Sequence, residues 1–178
     1  MRKRAAGDVT GRAMVVHEAT RQGIVAATNA VLDAATVLPA QVSPIGSFTD
    51  PEYASVGLTE TAARQAHAAA VATVRFDSLP RPIIDGRTTG FCKLVIDRER
   101  HAILGCHVVG ERATELAQLA ATAMAAQMPV EQLALVPFSF PTYADALGRA
   151  AIRAAIDLDP TGTWAADHPE TAVKAGLA

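Results

Sequence analysis

Aromatic side chains are scarce in this chain of 178 residues: they make up 4%, with a single Trp and two Tyr. That scarcity argues against a wide aromatic binding surface. Hydrophobic residues reach 50%, much of it alanine, which favours closely packed helices. Only two cysteines occur, Cys92 and Cys106. They are too few for a disulfide-stapled secreted domain, and no secretory signal pattern follows the basic start, so the cytoplasm is the expected compartment. No apolar run approaches the ~20 residues a membrane span needs. A formal net charge of −2 and a pI near 6.2 argue against nucleic acid or an anionic membrane as the main partner. The Arg2-Lys3-Arg4 cluster reads as a solvated terminus. Two motifs are missing as well. No Gly-x-Gly-x-x-Gly turn is present to cradle a dinucleotide pyrophosphate, and the cysteines do not form a Cys-x-x-x-x-Cys redox pair.

What is present alternates in a readable way. Val16, Thr20, Gly23, Ile24, Ala27 and Val31 recur at three- and four-residue intervals and predict a helix over 15–34. Thr36 to Ser47, with Pro39 and Pro44, reads as a connector to a second unit. Tyr53 to Gly57 reads as a strand, and Thr59 as the N-cap of an Ala-rich helix running to about Ala69 with Glu60 in its first turn. Val71 to Asp77 predicts another strand, broken by Leu79-Pro80-Arg81-Pro82, with a turn at Asp85-Gly86-Arg87. Phe91 to Asp97 and Ala102 to Val109 predict a hairpin around Arg98-Glu99-Arg100.

Helices follow. Thr114 to Gln127 is amphipathic on Leu116, Leu119, Ala120, Ala123 and Met124; Pro129 suits N1 of a short helix to Leu135; Pro141 opens a last helix to about Ile156. The composition past Asp157 predicts a flexible tail over 158–178, with Trp164 as its docking residue. The order of elements is that of an α+β domain, an antiparallel β-sheet with helices on one face. If the hairpin centres on Glu99, Cys92 and Cys106 face each other across it; a disulfide fits such a pair, and two reduced, buried thiols are the commoner outcome in a cytoplasmic sheet. His107 alternates onto the opposite face from Cys106, so no metal site is expected from Cys92, Cys106 and His107.

Several segments, in this order, carry a resemblance: Ala6-Gly7-Asp8-Val9-Thr10-Gly11 with the helix after His17-Glu18-Ala19, Phe48 to Glu60, Gly90 to Val95, and Ile103 to Gly110. Over roughly residues 5–156 the chain resembles the C-terminal part of the FAD-dependent pyridine nucleotide–disulfide oxidoreductases, including dihydrolipoamide dehydrogenases, mercuric reductases and soluble transhydrogenases. The resemblance implies a remnant of the FAD-binding domain at 1–38, an interface domain at 43–157 that forms a homodimer, and FAD and NAD(P) as cofactors of the full-length protein. It further implies a truncated FAD-binding domain, with Met1 to Arg4 standing where a buried strand belongs, and hence a chain that does not turn over alone. A truncated gene or a mis-called start would explain that beginning. The alternative reading is a free-standing, non-enzymatic module that dimerises or binds a partner.

The same resemblance assigns site residues. Asp8 matches the carboxylate that contacts FAD, although a turn aspartate capping the next helix fits Asp-Val-Thr-Gly equally. Val16 matches a position whose backbone touches the flavin, and His17 a frequent family histidine that reads as structural here. The stretch Phe138 to Asp145 matches the family's His-Pro-Thr-x-x-Glu, whose His is the general acid/base for the partner subunit's thiol pair. Phe140 holds the His position and Asp145 the Glu position, so no catalytic residue is assigned. Within the chain alone, Phe140 reads as core packing and Asp145 as a helix-start residue that caps or stays solvated. Mercuric reductases and soluble transhydrogenases carry an aromatic residue at that His position. No cysteine follows Cys106, which leaves mercury handling unsupported, whereas hydride transfer between nicotinamides needs no thiol from this region.

Overall fold

The computed structural model describes residues 5–38 and 42–174. The expectations for Met1 to Arg4, for Pro39 and for the last four residues of the tail lie outside the described residues. The chain divides into two compact units, Met1–Ser43 and Pro44–Ala178.

The first unit is a short 3₁₀ turn, Asp8–Thr10, and helix α1, Val16–Val31. Glu18 lies in the first turn, where the positive end of the helix dipole favours it, and pairs with Arg21 at 3.0 Å. Past the helix end, Asn29 holds the backbone of Thr36 on both sides: its Nδ2 donates to the Thr36 carbonyl at 2.8 Å and its Oδ1 accepts the Thr36 amide at 3.0 Å. Asn29 is also the buried residue of this helix. The apolar positions Val16, Ile24 and Val31 that predicted the helix are exposed.

The second unit is built on five antiparallel strands: β1 Ile45–Ser47, β2 Tyr53–Gly57, β3 Ala69–Arg75, β4 Phe91–Asp97 and β5 Ile103–Val109, in the order β1-β2-β5-β4-β3. Around them lie α2 (Glu60–Ala66), α3 (Pro80–Asp85), α4 (Ala113–Ala125), α5 (Val130–Ala134), α6 (Asp145–Leu158), α7 (Thr163–Asp167) and α8 (Pro169–Lys174). Period-two alternation places Ala54, Val56, Ala72, Val74, Cys92, Leu94, Cys106 and Val108 on one face, all buried. Helix α4 packs on β1, β2 and β5, and α6 packs on β3, β4 and α5. The alanines serve this packing: Ala117, Ala120 and Ala121 of α4, with Ala150, Ala151 and Ala154 of α6, are buried and let each helix approach closely. Larger side chains such as Leu116, Leu147 and Ile152 fill the remaining space, each contributing about 1.5–3 kcal/mol by leaving water. On the opposite face, Ala63 of α2 joins Ala69, Val95, Val71 and Leu104 in a second, smaller core. Helix α2 is capped as its sequence demands, the Ala62 amide donating to Thr59 Oγ1 at 3.2 Å.

The structure revises several expected elements. Ile45–Ser47, inside the predicted connector, pairs with β2 as an edge strand; three residues are too few to show a period. Strand β3 ends at Arg75, and Phe76–Ser78 turns as a 3₁₀ segment. The prolines at 80 and 82 begin α3 instead of merely breaking the chain, because Pro80 stands in the first turn, where no helical N–H partner is lost. The last helix begins at Asp145, not Pro141, and the Phe140–Pro141 peptide is cis. The segment read as a tail contains α7 and α8, which contact α6. Trp164 is partly buried there and stacks on His168 with ring centroids 5.0 Å apart.

The β4–β5 register also differs from a hairpin centred on Glu99. Cys92 pairs with Val108 and Leu94 with Cys106, so the cysteines are diagonal neighbours on one face. The cause is the turn. Asp97 Oδ1 accepts the amides of Glu99 at 2.9 Å and Arg100 at 3.2 Å, His101 adopts φ 56°, and the ladder slips between Val95 and Ile96. Both cysteines are free and buried, their Sγ atoms 4.0 Å apart. No helix of the described residues is long and apolar enough to cross a membrane.

Candidate functional site

The loop between α5 and α6 carries Phe138 to Ala144, just before Asp145 opens α6, and is held at both ends. On one side, Phe138 lies against Gly148 of α6: a β-carbon built on that glycine would fall 2.5 Å from the phenyl ring, so only glycine leaves the ring its place. On the other side, Tyr143 is 7% exposed, and its ring packs on the fully buried Phe76 with centroids 5.6 Å apart. Its hydroxyl donates to Asp85 Oδ2 at 3.0 Å. Arg81, one turn back on α3, donates Nε to the same oxygen at 2.8 Å. Within the loop, Thr142 Oγ1 donates to the Ser139 carbonyl at 2.7 Å.

Burial and the Asp85 carboxylate push the Tyr143 hydroxyl up to about 12, while the bond from Arg81 holds Asp85 below the usual carboxylate value. A groove of about 300 Å³ opens beside the loop, with Leu116, Leu119 and Tyr143 among its apolar lining and Arg81, Asp85 and Glu115 among its charged groups.

Phe140 projects from the apex of this loop, 66% exposed. The expectation that it packs in a core is therefore corrected: the core positions of the loop go to Tyr143 and partly to Phe138, and the side chain between them points to solvent. Asp145 is corrected as well. It neither caps α6 nor stays solvated but is 1% exposed, its Oδ2 accepting from Arg149 Nε at 2.7 Å. Its Oδ1 makes no hydrogen bond among the described residues and faces Lys174 Nζ at 3.8 Å. Phe140 and Asp145 thus do not form a working pair: one carries no proton, and the other is bound to cations inside the fold. Asp85, Arg149 and Lys174 went unassigned in the sequence; the only signal for Asp85 was the Asp-Gly turn, and Lys174 gave none.

The other candidates lie in the first unit. Asp8 is exposed in the 3₁₀ turn, between Gly7 at φ 77° and Gly11 at φ 67°, left-handed conformations that favour glycine. The Gly7 amide donates to Gln22 Oε1 at 2.9 Å, which ties this turn to α1. Among the described residues no side chain caps the first turn of α1, so the Asp8 carboxylate does not play the capping role its sequence allowed. Val16 is 83% exposed at that helix start. His17 Nε2 lies 2.7 Å from Ser43 Oγ, a contact within the unit that fits its structural reading. Among the described residues no cluster of three or more His, Cys, Asp or Glu side chains could hold a metal ion.

Residues 43–151 match the family model described as the pyridine nucleotide-disulphide oxidoreductase dimerisation domain. Among curated relatives, the chain is 33% identical over 155 residues to a dihydrolipoyl dehydrogenase of Synechocystis sp., covering 84% of this chain and 32% of that protein. It is 36% identical over 148 residues to a mercuric reductase of Streptomyces lividans, covering 83% of this chain and 31% of the relative. The chain therefore spans about a third of the length of these relatives. Of solved structures, LpdA from Mycobacterium tuberculosis superposes with a TM-score of 0.74 at 27% identity, over 84% of this chain and 33% of that one. The flavoprotein disulfide reductase RclA of Escherichia coli, at 23% identity and a TM-score of 0.73 over 80% of this chain and 33% of its own, shares the fold. The match over most of the sheet unit, on the same five-stranded antiparallel architecture, shows that the chain belongs to the pyridine nucleotide-disulphide oxidoreductase family and carries its dimerisation domain.

Proposed function

We propose that this chain is the dimer-forming part of an FAD- and NAD(P)-dependent oxidoreductase, and that it joins two identical subunits through residues 43–157. Residues 1–38 belong to the FAD-binding portion, and 158–178 extend the interface domain. The carrying observation is the family match over residues 43–151, on a fold whose α5–α6 loop holds Phe140 out to solvent at the family's active-site position. A homodimer accounts for that exposure: an aromatic side chain at a loop apex gains by burial against a partner.

The residues present fit FAD at one end. Asp8 and the uncapped start of α1 at Val16 stand exposed in the same unit, and the positive end of a sixteen-residue helix favours a negatively charged group. When bound, FAD would supply hydride uptake from a nicotinamide and release to an acceptor. This chain's own residues would hold one end of the cofactor through Asp8 and the Val16 backbone, and cover the partner's site with Phe140. The sequence offers no pyrophosphate cradle, so FAD is held weakly by this chain alone and NAD(P) binds elsewhere in the parent protein.

Phe140 also narrows the chemistry. The loop and the helix start after it present no free proton donor or acceptor of the His type: Thr142 is spent on Ser139, the Tyr143 hydroxyl is held up at about 12, and Asp145 Oδ2 is taken by Arg149. The acceptor half-reaction therefore takes no proton from the partner's loop, which favours hydride transfer over dithiol–disulfide exchange. A chain with only two cysteines fits a reducing compartment, the cytoplasm.

Sedimentation velocity on the full chain tests the interface assignment. A dimer at tens of micromolar is expected, and a species that stays monomeric there would overturn it.

A further inference from the structure

We infer that Asp85, not Asp145, is the carboxylate that positions the loop carrying Phe140, and that it acts through the Tyr143 hydroxyl. The inference deepens the reading of Phe140 as the residue presented to a partner, and rests on it for its meaning but not for its test.

The geometry separates the two carboxylates. Asp145 follows the loop directly, yet its side chain turns into the protein: Oδ2 is taken by Arg149 and Oδ1 faces Lys174, leaving nothing directed back at the loop. Asp85 is 58 residues from Tyr143 in sequence, but its Oδ2 receives the Tyr143 hydroxyl. Arg81 shares that oxygen from four residues away on α3, so the Asp85 side chain is held within its own helix as well as by the loop. A hydrogen bond to an ionised acceptor is stronger than one between neutral groups, so the Tyr143 hydroxyl is tied to α3 while its ring packs on Phe76.

That tie matters because only Pro141 and Thr142 separate Tyr143 from Phe140. The Phe138–Gly148 contact fixes the entry to the loop, and the Thr142–Ser139 hydrogen bond closes its base. With Tyr143 held, the apex has little freedom left. Tyr143 and Asp85 are positioning residues, since neither touches a reacting atom.

The test is backbone ¹⁵N relaxation on the full chain at neutral pH, comparing wild type with Tyr143→Phe, Asp85→Asn, Asp145→Asn and the milder Lys174→Met. Tyr143→Phe keeps the ring on Phe76, and the β4 amides report whether the sheet stays folded. Wild-type order parameters at the Ser139 and Phe140 amides are expected near about 0.85, falling below about 0.6 in Tyr143→Phe and Asp85→Asn. They are expected to hold in Lys174→Met, and in Asp145→Asn wherever β4 stays intact. Loop amides that stay rigid in Tyr143→Phe and Asp85→Asn would overturn the inference. So would a loop already mobile in wild type, or one loosened as much by Lys174→Met as by Asp85→Asn. No flavin enters this measurement, and Lys174→Met shares whatever oligomeric state the wild type has, so its failure is distinct from a failure of the dimer or cofactor reading.

Discussion

The ring of Phe138 occupies the space that a β-carbon on Gly148 would need, its nearest carbon falling 2.5 Å from that point. Gly148 stands inside α6, where alanine is normally better by about 1 kcal/mol. Here the added methyl collides with the ring, and overpacking of this kind costs about 1–3 kcal/mol. Gly148→Ala is therefore expected to lower stability by about 1 kcal/mol in urea unfolding. In a Phe138→Ala background the collision is gone, and the same substitution should instead stabilise by about 1 kcal/mol. An equal effect in both backgrounds would refute the contact.

Asp145 gives a second prediction, about stability. Asp145 is buried but the Arg149 it would leave behind keeps some access to water, so Asp145→Ala should cost about 1.5–3 kcal/mol. Lys174 contributes less, because its nitrogen lies 3.8 Å from Oδ1 and its stem is partly exposed; Lys174→Met should cost at most about 1 kcal/mol. Denaturant midpoints in the reverse order would show that α8, not Arg149, holds this carboxylate in place.

How far the sequence reveals this molecule depends on how local each feature is. The strands around Ala54 and Val56 and around Cys92 and Leu94 show their period directly, and Thr59 marks its helix by a capping side chain. These features depend on neighbours a few residues away. Strand β1 is hidden because its reason to exist is the edge of β2, not its own three residues. Helix α3 is hidden because two prolines signal a break as readily as a helix start. The β4–β5 register turns on Asp97 capturing the Glu99 and Arg100 amides, which the flanking hydrophobic pattern does not encode.

The candidate site divides the same way. Phe140 and Asp145 can be found from a motif, but the exposure of one follows from Phe138 packing on Gly148 and Tyr143 on Phe76, and the burial of the other from its bond to Arg149. These are contacts made in the fold, and residue type alone does not show them.

The cysteine pair should behave as two inert thiols. Both are buried, and Cys106 together with burial pushes the Cys92 thiol well above its ordinary value of 9.0, which suppresses the reactive thiolate. A thiol reagent should find none in the native chain at neutral pH and two after denaturation without reductant. A count of zero after denaturation would mean that the diagonal pair is bridged after all, with the backbone shift that its register demands.

Tyr143 should leave a mark on alkaline stability. Its hydroxyl is raised from 10.0 to about 12, chiefly by burial and then by the bond to Asp85. The unfolded chain therefore releases this proton at lower pH than the folded one. The hydroxyl's contribution is fully present below pH 10 and is lost as pH climbs through about 12, because unfolding then ionises a group that the fold keeps neutral. Tyr143→Phe cannot titrate, so the stability difference between wild type and variant should shrink across that window. Cys92 also weakens the fold in alkali, but it is present in both proteins and cancels in the difference. Absorbance at the tyrosinate band, taken as the difference between wild type and Tyr143→Phe, offers an independent reading. That difference should appear late, near about 12. A difference that rises near 10 would mean that the Tyr143 hydroxyl is in water, and that nothing from α3 reaches the loop.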